Sequence, residues 1–453
     1  MSDLSVRIIS AKEIKGFNAT DVSHSSAQQP ELHLAFNKGS YLTPSDFIFN
    51  FGFPVSKLAL LPNQFSPLIF AVILHQEFHS FCTPCTHLTS SPSFFNFQIW
   101  SLEQSQDPLS LFFTNLPYGC PRTFDWLPTF PPENSPVRFL SIILGNGNLL
   151  IGKFDCSTNI LTEFLTITVD CVQAGFRCQS VNFDMNWIIL GSDDGKLVIF
   201  DTKYLIENFE SQTVSISLIP SKIVITLAES PINNVVFDPH NPSLLTASTF
   251  DCNFYLVNLA DLRTISKVKF GLDPITSLSW SLQSKGPNVS SSLGQSIYFD
   301  GHRRQFLKHS GGLTKMIDGA KFLQKFESVA DFLSIFSGGE DGFLRFLSIR
   351  RVKMRTQQNY QIVFTGIARD TVDLSRYVTT PFENFKMEAF QVTSTKALRV
   401  AMMVKAKSSC KPDSVDLSRL ETVPWTGLDL AENCGKVVLA GSAGVLGRIL
   451  FID

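Results

Sequence analysis

Between Gln179 and Asp201 the chain reads QSVNFDMNWIILGSDDGKLVIFD, and its apolar and polar positions can be followed one by one. Ser180–Phe183 alternates small, apolar, polar and aromatic residues at period two, the mark of a half-buried strand. Met185 and Asn186 break that run. Trp187–Leu190 is continuously apolar and short, as a strand buried on both faces would be. Gly191-Ser192-Asp193-Asp194-Gly195 follows as a turn, and its Asp-Gly pair supplies the positive φ that a tight hairpin needs. Leu197–Phe200 is then a third strand, closed by Asp201. One such unit cannot bury both of its faces, so the pattern predicts neighbours of the same kind.

Those neighbours are present. INNVVFDPHNPSLLTASTFDCNFYLVN (Ile232–Asn258) repeats the order with Phe250-Asp251 at the turn, and LSIFSGGEDGFLRFLSI (Leu333–Ile349) repeats it with Asp341-Gly342. LSIILGNGNLLIGKF (Leu140–Phe154) uses Asn146-Gly147. Gly147 and Gly195 are 48 positions apart, close to the roughly 40–45-residue period of a WD40 propeller blade. Turn chemistry recurring at that interval predicts an all-β chain, a seven-bladed WD40-like β-propeller with loop insertions.

Taken in order, residues 1–40 are expected to be a flexible N-terminal leader, with Met1–Gln29 polar and Ser-rich, and residues 41–453 the propeller. Asp46–Phe51 (DFIFNF) alternates and is the expected closing strand, lent to the blade that the C-terminus builds, because closure removes two exposed sheet edges. Blade one takes Val55–Leu60, Leu68–Leu74 and Phe97–Leu102; blade two takes Arg122–Leu127, Arg138–Leu144, Leu149–Phe154 and Leu161–Thr166. The opening stretch is blade three, and blade four runs from Ile232 to Phe270. Blade five has Ile275–Trp280 and Ser296–Asp300, blade six Leu333–Gly338, Phe343–Ile349 and Tyr360–Ile367. Gly427–Leu430, Lys436–Ala440 and Leu446–Ile452 make blade seven, after an insertion around residues 379–420.

Composition narrows the function classes. The chain has 453 residues, 44% of them hydrophobic and 17% charged, and its 41 Phe suit sheet-on-sheet packing. A net charge of −2 argues against a surface coated wholesale by nucleic acid and leaves room for a local basic patch. The nine Cys are odd in number and scattered, many in apolar strands, which reads as reduced thiols of an intracellular protein. Met1–Ser10 lacks the apolar core of a signal peptide, and the longest apolar run, Leu68–Leu74, is too short for a bilayer core of roughly 30 Å.

Candidate chemistry is sparse. His75, His79, Cys82, Cys85 and His87 fall in one insertion of blade one, where a single Cys-x-x-Cys knuckle allows a zinc site and a decorated surface loop explains the same residues. Asp193, Asp251 and Asp341 recur at blade turns and are expected to accept turn hydrogen bonds. The glycine-rich turn at 191–195 is not followed by the Lys-Ser/Thr of a phosphate-binding loop. No Gly-x-Ser-x-Gly or His-Glu-x-x-His occurs, so neither catalysis nor a cofactor is expected. Trp100, Trp126, Trp187, Trp280 and Trp425 lie in or beside strands and are expected to pack. Arg350, Arg351, Lys353 and Arg355 follow the third strand of blade six, and no acidic residue occurs from Phe343 to Arg369. Such a cluster suits phosphates or an acidic partner; a solvated blade edge guarded by cations is the alternative.

Several short motifs carry a family resemblance: Gly52-Phe53-Pro54-Val55, the Gln-Ile-Trp-Ser-Leu strand at Gln98–Leu102 after a long insertion, SGGEDGFLRFLSIRR at Ser337–Arg351, and LAGSAGVLGR at Leu439–Arg448. In these the chain resembles the WD-repeat subunits of TFIIIC, the RNA polymerase III initiation factor, although no Trp-Asp dipeptide survives. The resemblance implies a nuclear scaffold subunit, without a small-molecule substrate or a membrane, that pairs with another propeller subunit and other TFIIIC-type subunits. It implies that promoter DNA of tRNA genes is bound by the complex. A general WD40 adaptor in another multiprotein complex is the competing expectation, since a propeller alone does not specify its partner.

Overall fold

The computed structural model describes residues 4–8, 31–62, 67–75, 96–103, 109–114, 116, 121–127, 136–168, 178–183, 186–208, 212–219, 222–238, 241–270, 274–280, 286–291, 296–300, 305–308, 322–329, 332–339, 343–349, 360–379, 390–391, 420–423, 425–433 and 436–452. These residues form seven sheets. The first is Val55–Leu60, Leu68–Leu74, Phe97–Leu102 and Leu109–Thr114; the second is Thr123–Trp126, Val137–Ile143, Leu149–Asp155 and Ile160–Thr168, with Gln212–Ser215 added outside. The third holds Cys178–Phe183, Trp187–Ser192, Lys196–Asp201 and Ile223–Thr226, and the fourth Ile232–Asp238, Asn241–Thr249, Asn253–Asn258 and Arg263–Lys269. The fifth holds Ile275–Ser279, Asn288–Ser291, Ser296–Asp300 and Gln305–Lys308. The sixth is built on Phe322–Val329, Phe332–Gly339, Phe343–Ile349 and Tyr360–Asp370, extended by Arg376–Thr379, Leu4–Ile8 and Glu31–Leu34. The seventh runs Trp425–Asn433, Lys436–Ala443, Leu446–Ile452, Asp46–Asn50, Lys38–Thr43.

Each sheet lies against the next in chain order, and the seventh lies against the first through Trp425–Asn433 and Val55–Leu60. Both faces of a sheet are therefore covered, which explains the unbroken apolar runs. In the third sheet Ile188, Leu190, Val198 and Phe200 join a core with Ile143, Leu149 and Ile151 of the second. Their neighbours Ile189, Leu197 and Ile199 point the other way, into a core with Val235, Phe237 and Tyr255 of the fourth. Period two thus divides a continuous hydrophobic strand between two interfaces. Leu68–Leu74 is split in the same way, every residue of it buried.

The seventh sheet joins the two ends of the described chain. Asp46–Asn50 pairs antiparallel with Leu446–Ile452, Ile48 opposite Arg448 and Asp46 opposite Leu450. The Arg448 guanidinium lies diagonally across the register. Its Nε donates to Asp46 Oδ1 at 2.9 Å and one Nη to Asp46 Oδ2 at 2.5 Å, and its other Nη reaches Thr379 Oγ1 of the sixth sheet at 2.5 Å. Both side chains of the ion pair are fully buried. Asn50 donates to the Leu34 carbonyl and accepts from the Gly52 amide, fixing the path into and out of this strand.

Several elements differ from the sequence reading. Residues 1–40 are not uniformly a leader: Leu4–Ile8 is a strand, parallel to Arg376–Thr379 and antiparallel to Glu31–Leu34, and Lys38–Thr43 edges the seventh sheet. Leu4, Val6 and Ile8 do alternate, but five residues inside a Ser-rich stretch are too few to stand out. The expected insertion around 379–420 contributes Phe390–Gln391 and Leu420–Thr422, both paired with Tyr360–Asp370; its remainder lies outside the described residues. Asn288–Ser291 is a strand where the sequence predicts a loop, because Val289 is its sole apolar residue, yet Asn288 and Ser290 are as buried as Val289. Asp201, expected to close a strand, also starts the helix Thr202–Asn208, its carboxylate accepting from the Tyr204 amide at 2.8 Å.

Replacing Asp46 by Ala should strand the Arg448 guanidinium in the interior and lower stability by about 3–5 kcal/mol. The double replacement Asp46→Leu with Arg448→Met should regain most of that loss. Chemical denaturation of wild type, Asp46→Leu, Arg448→Met and the double variant measures the coupling, and additive single effects would show that the pair does not hold the seventh sheet together.

Candidate interaction surface and turn sites

Three hairpins of the second, third and fourth sheets repeat one design. The amides of Gly147, Gly195 and Cys252 donate to the carbonyls three residues earlier, those of Leu144, Ser192 and Thr249. All three residues sit at positive φ, 88°, 78° and 67°. At Gly195 any side chain would collide with the backbone: a Cβ there would lie 2.1 Å from the Ala228 carbonyl oxygen. The Gly195 carbonyl in turn accepts from Leu227 and Ala228, tying the hairpin to the segment that leads into the fourth sheet. Cys252 takes the same conformation with a side chain, a strain of about 1–2 kcal/mol that its neighbours must offset.

What offsets it is a hydroxyl and carboxylate clasp. In the fourth sheet Thr249 Oγ1 donates to Asp251 Oδ1, Asn253 Nδ2 donates to Asp251 Oδ2 at 2.6 Å, and the Asp251 amide donates to Ser230 Oγ at 3.1 Å. In the third sheet Ser192 Oγ meets Asp194 Oδ1 at 2.5 Å and accepts from the Lys196 amide at 2.8 Å, while Lys196 Nζ pairs with Asp194 Oδ2. Ser192, Asp194 and Lys196 therefore correspond to Thr249, Asp251 and Asn253. This corrects the sequence reading, which takes Asp193 as the turn residue recurring with Asp251: the clasping carboxylate is Asp194, one residue on. Asp251 does accept turn hydrogen bonds, as expected. Asp341 lies outside the described residues.

Of the five His and Cys residues considered for zinc, His75 alone is described; His79, Cys82, Cys85 and His87 lie outside the described residues. His75 follows the strand Leu68–Leu74, is buried, and donates its amide to the Pro54 carbonyl at 2.8 Å. Burial lowers its pKa to about 4, so the imidazole is neutral near pH 7. That is the form that ligates a metal, but among the described residues no group of three or more His, Cys, Asp or Glu could hold one. Arg350, Arg351, Lys353 and Arg355 also lie outside the described residues, between the strands Phe343–Ile349 and Tyr360–Asp370. Trp100, Trp126 and Trp425 are buried and Trp187 and Trp280 half-buried, all in packing roles.

No family model matches the chain. Over 226 residues it is 24% identical to transcription factor tau subunit sfc6 of Schizosaccharomyces pombe. The match takes in 48% of this chain and 36% of the relative, so the chain spans about a third of that protein's length.

Two measurements test these assignments. Because Asp251 is an exposed acceptor, Asp251→Ala should cost about 1 kcal/mol, and less once Cys252→Gly has relieved the strained turn; a melt identical to wild type would remove the clasp. His75 titrates near 6.5 when unfolded and near 4 when folded, so the folded protein binds fewer protons between those values. Stability is then full above about pH 6.5 and falls by ~2–3 kcal/mol as pH drops towards about 4. Denaturation of wild type against His75→Gln across that window should show the slope in wild type and not in the variant.

Proposed function

We propose that this chain is a seven-bladed, WD40-like β-propeller acting as a non-enzymatic scaffold subunit of a TFIIIC-like complex in the nucleus. The observation that carries the reading is the similarity to a transcription factor tau subunit. Support for the propeller comes from the seven sheets, each against the next, with the seventh drawn from both ends of the described chain. Such a ring offers a rigid body with many turns at each end, suited to holding several proteins at once. Its partners in this reading are other TFIIIC-type subunits, including a second propeller subunit, with promoter DNA of tRNA genes bound by the assembly for RNA polymerase III. The described carboxylates at the turns serve as acceptors within their own hairpins, in keeping with a scaffold.

Arg350, Arg351, Lys353 and Arg355 are the proposed phosphate contacts, because guanidinium groups bind phosphate in a bidentate manner and release counterions on doing so. Each direct contact contributes about 0.9 to the slope of log K against log salt on B-DNA. Changing all four to Ala should leave the melt unchanged and weaken promoter-DNA binding by the purified complex, most at low salt and equally across sequences. Superimposable salt curves would assign the cluster to an acidic protein surface. Affinity purification tests the wider reading: recovery of polymerase III factors supports it, and recovery of ligase or coat components instead would favour a general adaptor.

A further inference from the structure

Among the described residues, the outer edges of the sheets differ in how they are guarded. The fourth sheet ends in Arg263–Lys269, which carries three cations and a register shift opposite Leu256 and Val257. Lys38–Thr43 has Lys38 and a shift at Tyr41, and Gln305–Lys308 ends in a lysine. Leu109–Thr114 is uncharged but broken by a shift opposite Ile99 and Trp100. The second ends in Gln212–Ser215, QTVS, uncharged and in unbroken register but polar at three of its four positions, and the sixth ends in Glu31–Leu34, which begins with a glutamate. The third ends in Ile223–Thr226, IVIT, uncharged and in unbroken register with Lys196–Ile199. Val224 on this strand is 48% exposed. An apolar, uncharged edge in unbroken register is a template for a further strand.

Charge at this edge selects the strand that would fit. Ile223 and Ile225 pack towards Tyr255 and Val257 of the fourth sheet. Lys267 stands opposite Tyr255 and Lys269 opposite Asn253, so both lysines are on the side of the fourth sheet that faces this edge. Both are exposed, Lys267 Nζ lies 5.3 Å from the Tyr255 ring centroid, and neither takes part in an ion pair among the described residues. Lys196, which borders Thr226, belongs to the opposite face and is already paired with Asp194. We propose that Ile223–Thr226 is a docking edge for an extended acidic segment of a partner protein, its backbone continuing the third sheet and its carboxylates meeting Lys267 and Lys269. The proposal does not depend on the TFIIIC reading.

The test uses the full chain and a fluorescein-labelled peptide of about ten residues alternating Val and Glu, long enough for one strand. Fluorescence anisotropy should show binding of this peptide and none of its Val/Lys counterpart. Lys267→Glu with Lys269→Glu should weaken binding about tenfold or more. An added strand uses alternate amides towards the edge, so N-methylation of one alternate set in the peptide should abolish binding while the other set is tolerated. Because the protein is unaltered in that arm, loss of fold cannot mimic the result. Equal binding of the Val/Glu and Val/Lys peptides, or equal binding of the two N-methylated sets, overturns the proposal.

Discussion

Arg448 and Asp46 are 402 positions apart in sequence and meet with no exposed side-chain surface. Burying two charges is costly, and the cost is met only when each lone pair and proton finds a partner. Here the guanidinium takes both carboxylate oxygens of Asp46 and the Thr379 hydroxyl. Three segments are fixed by one side chain: the C-terminal strand, the strand Asp46–Asn50 and the outer part of the sixth sheet. Register follows, because a slip by one residue would turn Arg448 away from Thr379 and into the opposite core of Phe47, Phe49 and Trp100. An apolar pair could fill the same volume, but it would not discriminate between registers.

The remaining joints between sheets are made differently. Leu60 donates its amide to Asp429 Oδ2 at 2.7 Å, Thr426 Oγ1 donates to the Val55 carbonyl at 2.6 Å, and Lys57 Nζ donates to Thr123 Oγ1 at 3.0 Å. Asn233 and Asn234 both donate to the Ile275 carbonyl. All of these bonds join the first strands of neighbouring sheets, those of Thr426, Lys57, Asn233 and Asn234 near the strand beginnings and that of Leu60 further along. The inner strands of the joined sheets therefore start side by side, and apolar cores fill the space further out. Polar contacts set the orientation of one sheet on the next, while burial supplies most of the stabilisation.

Much of this was legible in the sequence where both faces of a strand are apolar or a turn residue must take positive φ. Trp187–Leu190, Leu68–Leu74 and the hairpins at Gly147 and Gly195 were read in place, as was the strand starting at Asp46. Strands with a single apolar residue are not legible: Asn288–Ser291 has Val289 alone, and Gln212–Ser215 has Val214 alone and is held by parallel pairing with the second sheet. The shift from Asp193 to Asp194 has a similar origin. Two adjacent carboxylates look alike in sequence, and the choice is made by which one lies within reach of the Ser192 hydroxyl. Arg448 gave no sign of its burial, because its partner lies at the other end of the chain.

Strand direction also separates the two candidate chemistries. In a four-stranded antiparallel sheet, the connection from second to third strand and that from third to fourth lie at opposite ends. His75 ends the second strand of the first sheet, whereas Ile349 ends the third strand of the sixth. The sixth and seventh sheets share an orientation, since Gly338, late in its second strand, approaches Trp425 at the start of the seventh sheet, and Thr426 is bonded to Val55 at the start of the first. His75 and Ile349 consequently belong to opposite ends of the assembly of sheets. Altering the neutral imidazole of His75 therefore acts at the end of the assembly of sheets opposite to Ile349.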